Sequence, residues 1–306
     1  MVRNFLFHRV NPQRDKLWDP MDVALFDKCI RYISKNYSVV QLEELFFDST
    51  QLKSKNKFAT ILFDDGYKDN IEYAASILDK NRVKASFYVV TDCIEKNVPT
   101  WTYIIDYTFL HTRKSKIDLV YDFLPAELKV RELKDNKARI EYARKLKPAL
   151  KQLNHFNRAE IMTSIISAFD DIELPKLMMN WNDLQELKSA GHYIGSHTIT
   201  HCMLGTMTDE HDIRTELLES GTTIEKHLGH FPLTISYPVG SYNHTTTRLS
   251  REVGYKIGLA VKQKIYNPKL DNDFEIPRIE LYNEPWLKCR LRIDNVIGTI
   301  SNLYRG

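Results

Sequence analysis

A chain of 306 residues with 43% hydrophobic and 27% charged residues can bury one large core, and this composition excludes a disordered or fibrous protein. The formal net charge of +3, without a basic stripe that contains aromatic residues, argues against a nucleic-acid partner. The four cysteines are scattered and form no CxxC pair, which predicts reduced thiols and excludes a disulfide framework.

The N-terminal segment contains an apolar run of only three residues, Phe5 to Phe7. A signal-peptide core needs about 7–15 apolar residues, and no window of the chain approaches the ~18 apolar residues of a membrane span. We therefore expect a cytoplasmic protein without a transmembrane segment. Peripheral association with the inner membrane surface is left open.

From residue 5 to residue 90, short apolar runs alternate with segments of helical periodicity. Asp22 is a suitable N-cap for a helix in which apolar residues recur at intervals of three and four. The pattern predicts strands over 5–7, 37–40, 58–63 and 85–90, and helices over 22–33, 42–47 and 70–81. Such alternation indicates an α/β fold, a parallel sheet with helical crossovers.

The pattern changes between residues 98 and 175, where the strand signals lapse. The stretch from Leu128 to Leu153 is dense in Lys, Arg and Glu, and we interpret it as helix with a solvated charged face. We therefore predict a helical insertion over 98–175 within a single domain that spans 1–306. Aromatic residues near its start are expected either to pack in a core or to wall a pocket: Trp101, Tyr103, Tyr107 and Phe109.

Strand and helix alternate again from Trp181 onward. Helices are predicted over 182–188, 209–228 and 245–253, and strands over 193–195, 233–237 and 255–261, with a late strand end near 274–279. Gly191 stands where glycine is favoured, just after a helix.

Two adjacent carboxylates follow the apolar run that ends at Phe63. Asp64 and Asp65 stand side by side, and Gly66 marks a tight turn after them. Two neighbouring carboxylates ionise together at low cost only when a cation lies beside them. A plain surface turn is the alternative, because Asp-Gly is a common turn pair.

Two histidines provide the complementary metal ligands. His197 and His201 are four residues apart, the spacing that brings two imidazoles to one face of a helical turn. Two imidazoles and one carboxylate form a common catalytic zinc set, although a pair of surface histidines has the same spacing. Both histidines follow a predicted strand, as Asp65 does. Because the carboxyl ends of parallel strands meet at one rim, we expect the three side chains to converge.

Three motifs, in order and each at a strand end, resemble those of the polysaccharide deacetylase family. They are Phe63-Asp64-Asp65-Gly66-Tyr67, Ser196-His197-x-x-x-His201 and Tyr237-Pro238-Val239-Gly240-Ser241-Tyr242-Asn243. The resemblance covers residues 1–97 and 176–285 and leaves out the predicted insertion. It implies a metal-dependent carbohydrate esterase whose fold is a distorted (β/α) barrel of about seven strands.

The resemblance also implies roles for particular residues. Asp65, His197 and His201 would hold a divalent metal ion, zinc first, with cobalt, nickel or manganese as alternatives. Asp64 would be the general base, and the backbone N–H of Val239 would stabilise the oxyanion. The residues that flank these positions are expected to shape the loop and contact the substrate: Tyr67, Pro238, Gly240 and Tyr242.

Two positions depart from the family pattern. Ser236 stands where many members carry an arginine that orients the base, and Arg278 is predicted to supply that charge, with a surface salt bridge as the alternative. The usual C-terminal Leu-x-His is missing, since no histidine follows His244. Some relatives, among them poly-β-1,6-N-acetylglucosamine deacetylases, look circularly permuted and begin with a strand ending in Tyr-His-x-Val. His8, in Phe7-His8-Arg9-Val10, would then be the general acid; a buried structural histidine is the alternative.

The resulting interpretation is a hydrolase that removes an N-acyl group, chiefly N-acetyl, from a sugar in surface-glycan or glycoconjugate biosynthesis. The expected cytoplasmic location favours a nucleotide- or lipid-linked sugar as substrate. Release of formyl from a formamido sugar, a non-catalytic metal-retaining carbohydrate-binding protein and a non-haem iron oxygenase are the alternatives.

Overall fold

The computed structural model of the chain describes residues 1–47 and 57–296. The strands of this part are β1 (Val2–Phe7), β2 (Ser38–Val39), β3 (Phe58–Phe63), β4 (Ser86–Val89), β5 (Lys116–Asp118), β6 (Val130–Glu132), β7 (Tyr193–Ser196), β8 (Thr234–Ser236), β9 (Ile257–Leu259) and β10 (Ile279–Glu280). The helices are α1 (Val23–Asn36), α2 (Leu42–Phe47), α3 (Ala75–Lys80), α4 (Thr91–Lys96), α5 (Trp101–His111), α6 (Ala126–Lys129), α7 (Asn136–Gln152), α8 (His155–Ala168), α9 (Trp181–Ser189), α10 (Glu210–Leu228), α11 (His244–Val253) and α12 (Trp286–Ile293).

A curled, parallel sheet forms the centre of the molecule. Its strands follow the order β10-β1-β3-β4-β7-β8-β9, and the short β2 also pairs with β3. A parallel bridge between Leu259 and Ile276 links β9 to the segment that leads into β10, so the two ends of the sheet approach each other. The predicted α/β class and distorted barrel of about seven strands are confirmed.

Strand β3 lies inside this sheet, between β1 and β4, and every one of its six residues is buried. A strand covered on both faces reads as a continuous apolar run, which is the pattern that predicted it. Asp64 and Asp65 follow its carboxyl end and therefore lie at the carboxyl rim of the sheet. Helix α1 packs on the sheet through Phe26, Cys29 and Ile33, and the side chain of Asp22 caps it as predicted.

The region between residues 98 and 175 has a hydrophobic core of its own, in which Phe109, Leu146 and Ile161 are fully buried. Two strands, β5 and β6, form an antiparallel pair there, so the prediction that strands lapse in this region is wrong. The stretch from Leu128 to Leu153 is also interrupted by β6. Three-residue strands with one buried side chain or none are too short to produce an alternating pattern. That 98–175 is an insertion in a single domain stays a prediction.

Helices α4 and α12 were not predicted, since six and eight residues give little periodicity. All four cysteines are free and buried, as expected. In the ranges 1–47 and 57–296, no helix combines the length and the apolar character that crossing a membrane requires.

Replacing Asp22 by alanine is expected to destabilise the fold by about 1 kcal/mol, because the backbone N–H groups of Ala24 and Leu25 lose their acceptor. Urea denaturation of the purified protein measures this change. Asp22→Asn is the matched control, since its amide oxygen still caps the helix, and it should lose less than half as much. Equal losses in the two variants would contradict the capping role.

Candidate metal centre and active site

Side chains from the carboxyl ends of β1, β3 and β7 and from the loop after β8 line one cavity of about 270 Å³. Most of the charged and metal-binding residues that the sequence placed at the rim line this cavity. Its lining residues are His8, Trp18, Asp64, Asp65, Thr102, Asp106, Lys147, Lys151, His197, His201, Val239, Val261 and Glu280.

Asp65, His197 and His201 form a compact ligand set at the base of the cavity. The Nε2 atoms of His197 and His201 lie 3.4 Å and 3.3 Å from the same oxygen, Oδ1 of Asp65. One ligand atom from each residue falls within 4.8 Å of the others, and all three residues are buried. No hydrogen bond within the described part of the chain satisfies Oδ1 of Asp65. A buried, unsatisfied carboxylate oxygen facing two imidazole nitrogens fits a divalent cation, and this donor set leaves coordination positions open.

The tautomer of His197 suits metal binding. Its Nδ1 lies 2.7 Å from the carbonyl oxygen of Ser236, so Nδ1 carries the hydrogen and donates it. Burial lowers the pKa of His197, but the charges of Asp64 and Asp65 outweigh this effect and raise it, so the ring is stabilised in its charged form; in the neutral form that a metal ion requires, the lone pair of Nε2 faces Asp65. A hydrogen bond of this kind fixes ring orientation and raises the basicity of a metal-binding imidazole.

The segment from His197 to His201 is a bent loop, and the predicted helical turn is wrong. Thr198 and His201 have positive φ values of 68° and 58°, and Asp65 has one of 76°. Each non-glycine residue in this region costs about 1–3 kcal/mol, so surrounding contacts must hold it there. The spacing of four therefore brings the imidazoles together through left-handed residues instead of helical periodicity.

The carboxylate of Glu216, on α10, binds this loop through hydrogen bonds. Its Oε2 accepts hydrogen bonds from the backbone N–H groups of Ile199 (2.9 Å) and Thr200 (3.1 Å), and its Oε1 accepts from the hydroxyl of Thr200 at 2.6 Å. The residue is only 8% exposed. Sequence reasoning missed Glu216, because a glutamate in an amphipathic helix carries no signal that distinguishes it from a surface residue.

Asp64 is paired with Arg278, as predicted. Nη1 of Arg278 donates to Oδ1 of Asp64 at 2.8 Å, and the hydroxyl of Ser236 lies 3.1 Å from each carboxylate oxygen. Arg278 is fully buried, so the alternative of a surface salt bridge is wrong. Burial raises the pKa of Asp64, but the charges of Arg278 and His197 outweigh this effect and lower the pKa below its usual range. The carboxylate is therefore ionised at neutral pH.

Burial also raises the pKa of Asp65, but close contact with the imidazoles of His197 and His201 leaves it well below the usual range. Both members of the acidic doublet are thus charged, and each has its own compensating groups. Asp64 has a guanidinium and a hydroxyl, while Asp65 has two imidazoles.

Val239 adopts φ 57° in the loop after β8 and lines the cavity. A β-branched residue in the left-handed region is a genuine outlier, which is typical of functional loops. Gly240 follows with φ 68°, and a Cβ there would lie 2.9 Å from Cβ of Val261, so only glycine fits without a shift. Pro238 is buried at the start of this turn.

His8 follows β1 and faces the same cavity, so it does not lie in an unrelated core. Its Nδ1 is 3.5 Å from Oε1 of Glu280, and its ring contacts Trp18 edge-on at 5.6 Å between centroids. The side chain is 23% exposed. This position puts an imidazole across the cavity from the ligand set, and its role as the acid stays a prediction.

None of the four predicted substrate-binding residues lines this cavity; Pro238 and Gly240 flank Val239, which does. Tyr67 is fully buried, with its hydroxyl 3.1 Å from that of Thr100, because the turn at Gly66 directs it into the core. Tyr242 stacks on a neighbouring tyrosine and donates to Glu275 at 2.9 Å. A direct substrate contact does not fit the full burial of Tyr67, while a contact by the partly exposed Tyr242 stays a prediction.

Several wall residues come from parts of the chain to which no role was assigned. Lys147 and Lys151 lie on α7, within the stretch predicted to be a solvated face, and Asp106 lies on α5. Lys147 forms an ion pair with Asp106. The interpretation of this charged stretch as a solvated face is therefore wrong for the two lysines. The density of charged residues in a sequence does not distinguish a lysine that lines a cavity from an exposed one.

A curled parallel sheet with an Asp–His–His set at its carboxyl rim, beside an arginine-paired aspartate, defines an α/β protein with a group of residues that could hold a metal ion. Residues 51–258 match the family model described as polysaccharide deacetylase. The chain belongs to the polysaccharide deacetylase family, and the prediction of a carbohydrate N-deacetylase is confirmed at that level.

The comparisons with individual proteins agree with this family. A segment of 79 residues is 30% identical to YxkH of Bacillus subtilis (strain 168), which is assigned as a polysaccharide deacetylase; it covers 26% of this chain and 28% of that relative. The structure resembles Streptococcus pyogenes deacetylase PplD in complex with acetate (TM-score 0.64, 17% identity, 95% of this chain and 97% of that one). It also resembles a de-N-acetylase from Aggregatibacter actinomycetemcomitans (TM-score 0.59, 16% identity, 95% and 99%). At these identities the two structures support the fold alone.

Glu216→Gln is expected to weaken zinc binding about 10- to 100-fold, because residues that orient metal ligands typically have effects of that size. Competition with a fluorescent zinc chelator measures the affinity. Glu219→Gln, an exposed position on the same helix, is the matched control and should bind zinc like the unmodified protein. An unchanged affinity in Glu216→Gln would show that the loop needs no support from this carboxylate.

Proposed function

We propose that the protein hydrolyses the N-acetyl group of an amino sugar in a glycan or glycan precursor, with a zinc ion held by Asp65, His197 and His201. The observation that carries this proposal is the shared oxygen of Asp65 between two imidazoles, beside a separately paired Asp64. The first carboxylate is oriented as a ligand. The second, 3.9 Å from Nε2 of His197, is free of the ligand set and open to the cavity.

When bound, the metal ion would act as a Lewis acid and lower the pKa of a coordinated water toward 7. Asp64 accepts the proton from the attacking water. Arg278 and Ser236 hold both carboxylate oxygens in place, so the base enters the reaction ionised and already oriented. Arg278, just before β10, supplies the positive charge beside Asp64. In many family members an arginine at the position of Ser236 supplies that charge.

The attack on the acetyl carbonyl forms a C–O bond and develops negative charge on the carbonyl oxygen. The backbone N–H of Val239 is proposed to donate to that oxygen, and one such donor typically contributes a factor of about 10²–10³. The C–N bond then breaks, and His8 donates a proton to the leaving nitrogen. Glu280 lies beside Nδ1 of His8 and would hold the ring in position. The products are acetate and the free amine.

The other functions proposed from the sequence are less well supported. Family membership argues against an oxygenase and against a binding protein without turnover. Acetyl is favoured over formyl because the related PplD structure is a complex with acetate. A cytoplasmic location, peripheral contact with the membrane surface, a role in glycan biosynthesis and a nucleotide- or lipid-linked substrate stay predictions, and fractionation of cells with an antibody to the chain tests the first two.

Variants of the acidic doublet are expected to separate metal binding from catalysis. Asp65→Asn should lose bound zinc in metal analysis, because the shared ligand oxygen is replaced. Asp64→Asn should retain zinc and still lose at least about 10²-fold in acetate release, the lower end of a general base's contribution. The substrates are N-acetylated amino sugars, free, nucleotide-linked and polymeric. Zinc loss in Asp64→Asn, or full activity in either variant, would refute the division of roles.

His8→Gln is expected to lower amide hydrolysis about 10²–10⁴-fold, because the amine leaves poorly without a proton. The same variant should lose far less activity on 4-nitrophenyl acetate, since nitrophenolate leaves without protonation. Comparing kcat for the two substrates measures this difference, and Asp64→Asn should lose activity on both. A parallel loss in His8→Gln on amide and ester would point to a structural role.

A further inference from the structure

Helix α7 presents two lysines to the catalytic cavity. Lys147 and Lys151 are four residues apart, so they lie on one face of the helix, and both line the cavity that contains Asp64 and His197. Neither side chain is fully exposed. A mechanism built on Asp64, His8 and the ligand set uses neither lysine.

Among the charged side chains that line this wall, one lysine lacks an ion-pair partner in the part of the chain that the structure describes. Among the residues described in 1–47 and 57–296, Asp64 pairs with Arg278, Asp65 contacts two histidines, and the remaining lining carboxylates, Asp106 and Glu280, pair with Lys147 and His8. Lys151 has no described carboxylate within 4.0 Å of its Nζ.

The surroundings of Lys151 disfavour an uncompensated charge. Burial lowers its pKa, and so does the neighbouring charge of Lys147, while Glu280 and Asp106 attract it only from beyond ion-pair distance. A half-buried ammonium without a partner is unfavourable, and an anion that enters the cavity would offset that cost. Lys147 can assist, because its ammonium has three donors and the bond to Asp106 uses one.

We propose that Lys151, together with Lys147, binds an anionic group of the substrate, a phosphate or a carboxylate. The inference rests on the proposed function and narrows its substrate class. The cavity of about 270 Å³ is at the small end of ligand sites, so the anion must belong to the acetylated sugar itself or to its immediate neighbour. A neutral N-acetylated sugar would leave Lys151 without a counter-charge.

The anion has two chemical sources, and three probes with one N-acetylated amino sugar distinguish them. N-acetylglucosamine 1-phosphate carries a phosphate, a disaccharide of glucuronate and N-acetylglucosamine carries a neighbouring carboxylate, and methyl N-acetylglucosaminide is neutral. We expect one anionic probe to have a kcat/KM about 10- to 100-fold above the neutral probe, which corresponds to one charged hydrogen bond. The probe that shows this preference identifies the source.

Lys151→Gln is expected to bring the ratio of anionic to neutral kcat/KM close to one, chiefly through KM. Lys145→Gln, exposed on the same helix, is the matched control and should keep the ratio. Lys147→Gln is a poorer test, because it would leave the buried Asp106 without its partner. A ratio near one in the unmodified protein, or a preference that survives in Lys151→Gln, overturns the inference.

Binding by calorimetry to the Asp64→Asn variant separates this inference from the proposed function. Tighter binding of an anionic probe than of the neutral one, lost when Lys151→Gln is added, supports the anion site even if no probe is hydrolysed. In that case the proposed deacetylation fails and the inference stands. Hydrolysis of all three probes with equal binding supports the proposed function and overturns the anion site.

Discussion

Two charged carboxylates, buried side by side at the end of a fully buried strand, are the constraint on which the site depends. Each would be unfavourable there without compensation. Asp64 is compensated by Arg278 and Ser236, and Asp65 by two imidazoles. This separate compensation gives two chemically identical residues different capacities, one to accept a proton and the other to bind a cation.

Meeting that constraint takes segments from the whole chain. Arg278 is 214 residues from Asp64, and the parallel sheet brings the two together because β10, which follows Arg278, is separated from β3 only by β1. Local backbone strain is the second requirement. Asp65, His201 and Val239, which line the cavity, have positive φ values, and so does Thr198 next to His197. Contacts such as those of Glu216 keep the strained loops in place, so the shape of the site is determined by the packed elements beneath it.

The sequence was informative where the signal was local. Strand β3 and the cap of α1 followed from apolar runs and a capping residue, and the ligand set followed from motifs at strand ends. The helical turn was wrong because a spacing of four fits a helix and a bent loop equally well. Glu216 and the lysines of α7 could not be identified, since their importance comes from tertiary contacts that periodicity does not report. The pairing of Arg278 with Asp64 was predicted only because many family members carry an arginine at the position of Ser236.

The cavity wall draws its side chains from elements of two hydrophobic clusters. The proposed metal ligands and base follow strands of the sheet, while Thr102, Asp106 and the two lysines stand on helices α5 and α7, both of which contribute apolar residues to the second cluster. Mutations among the buried residues of α7 would therefore move the lysine-bearing part of the wall while leaving the packing around β3 and its two aspartates unchanged.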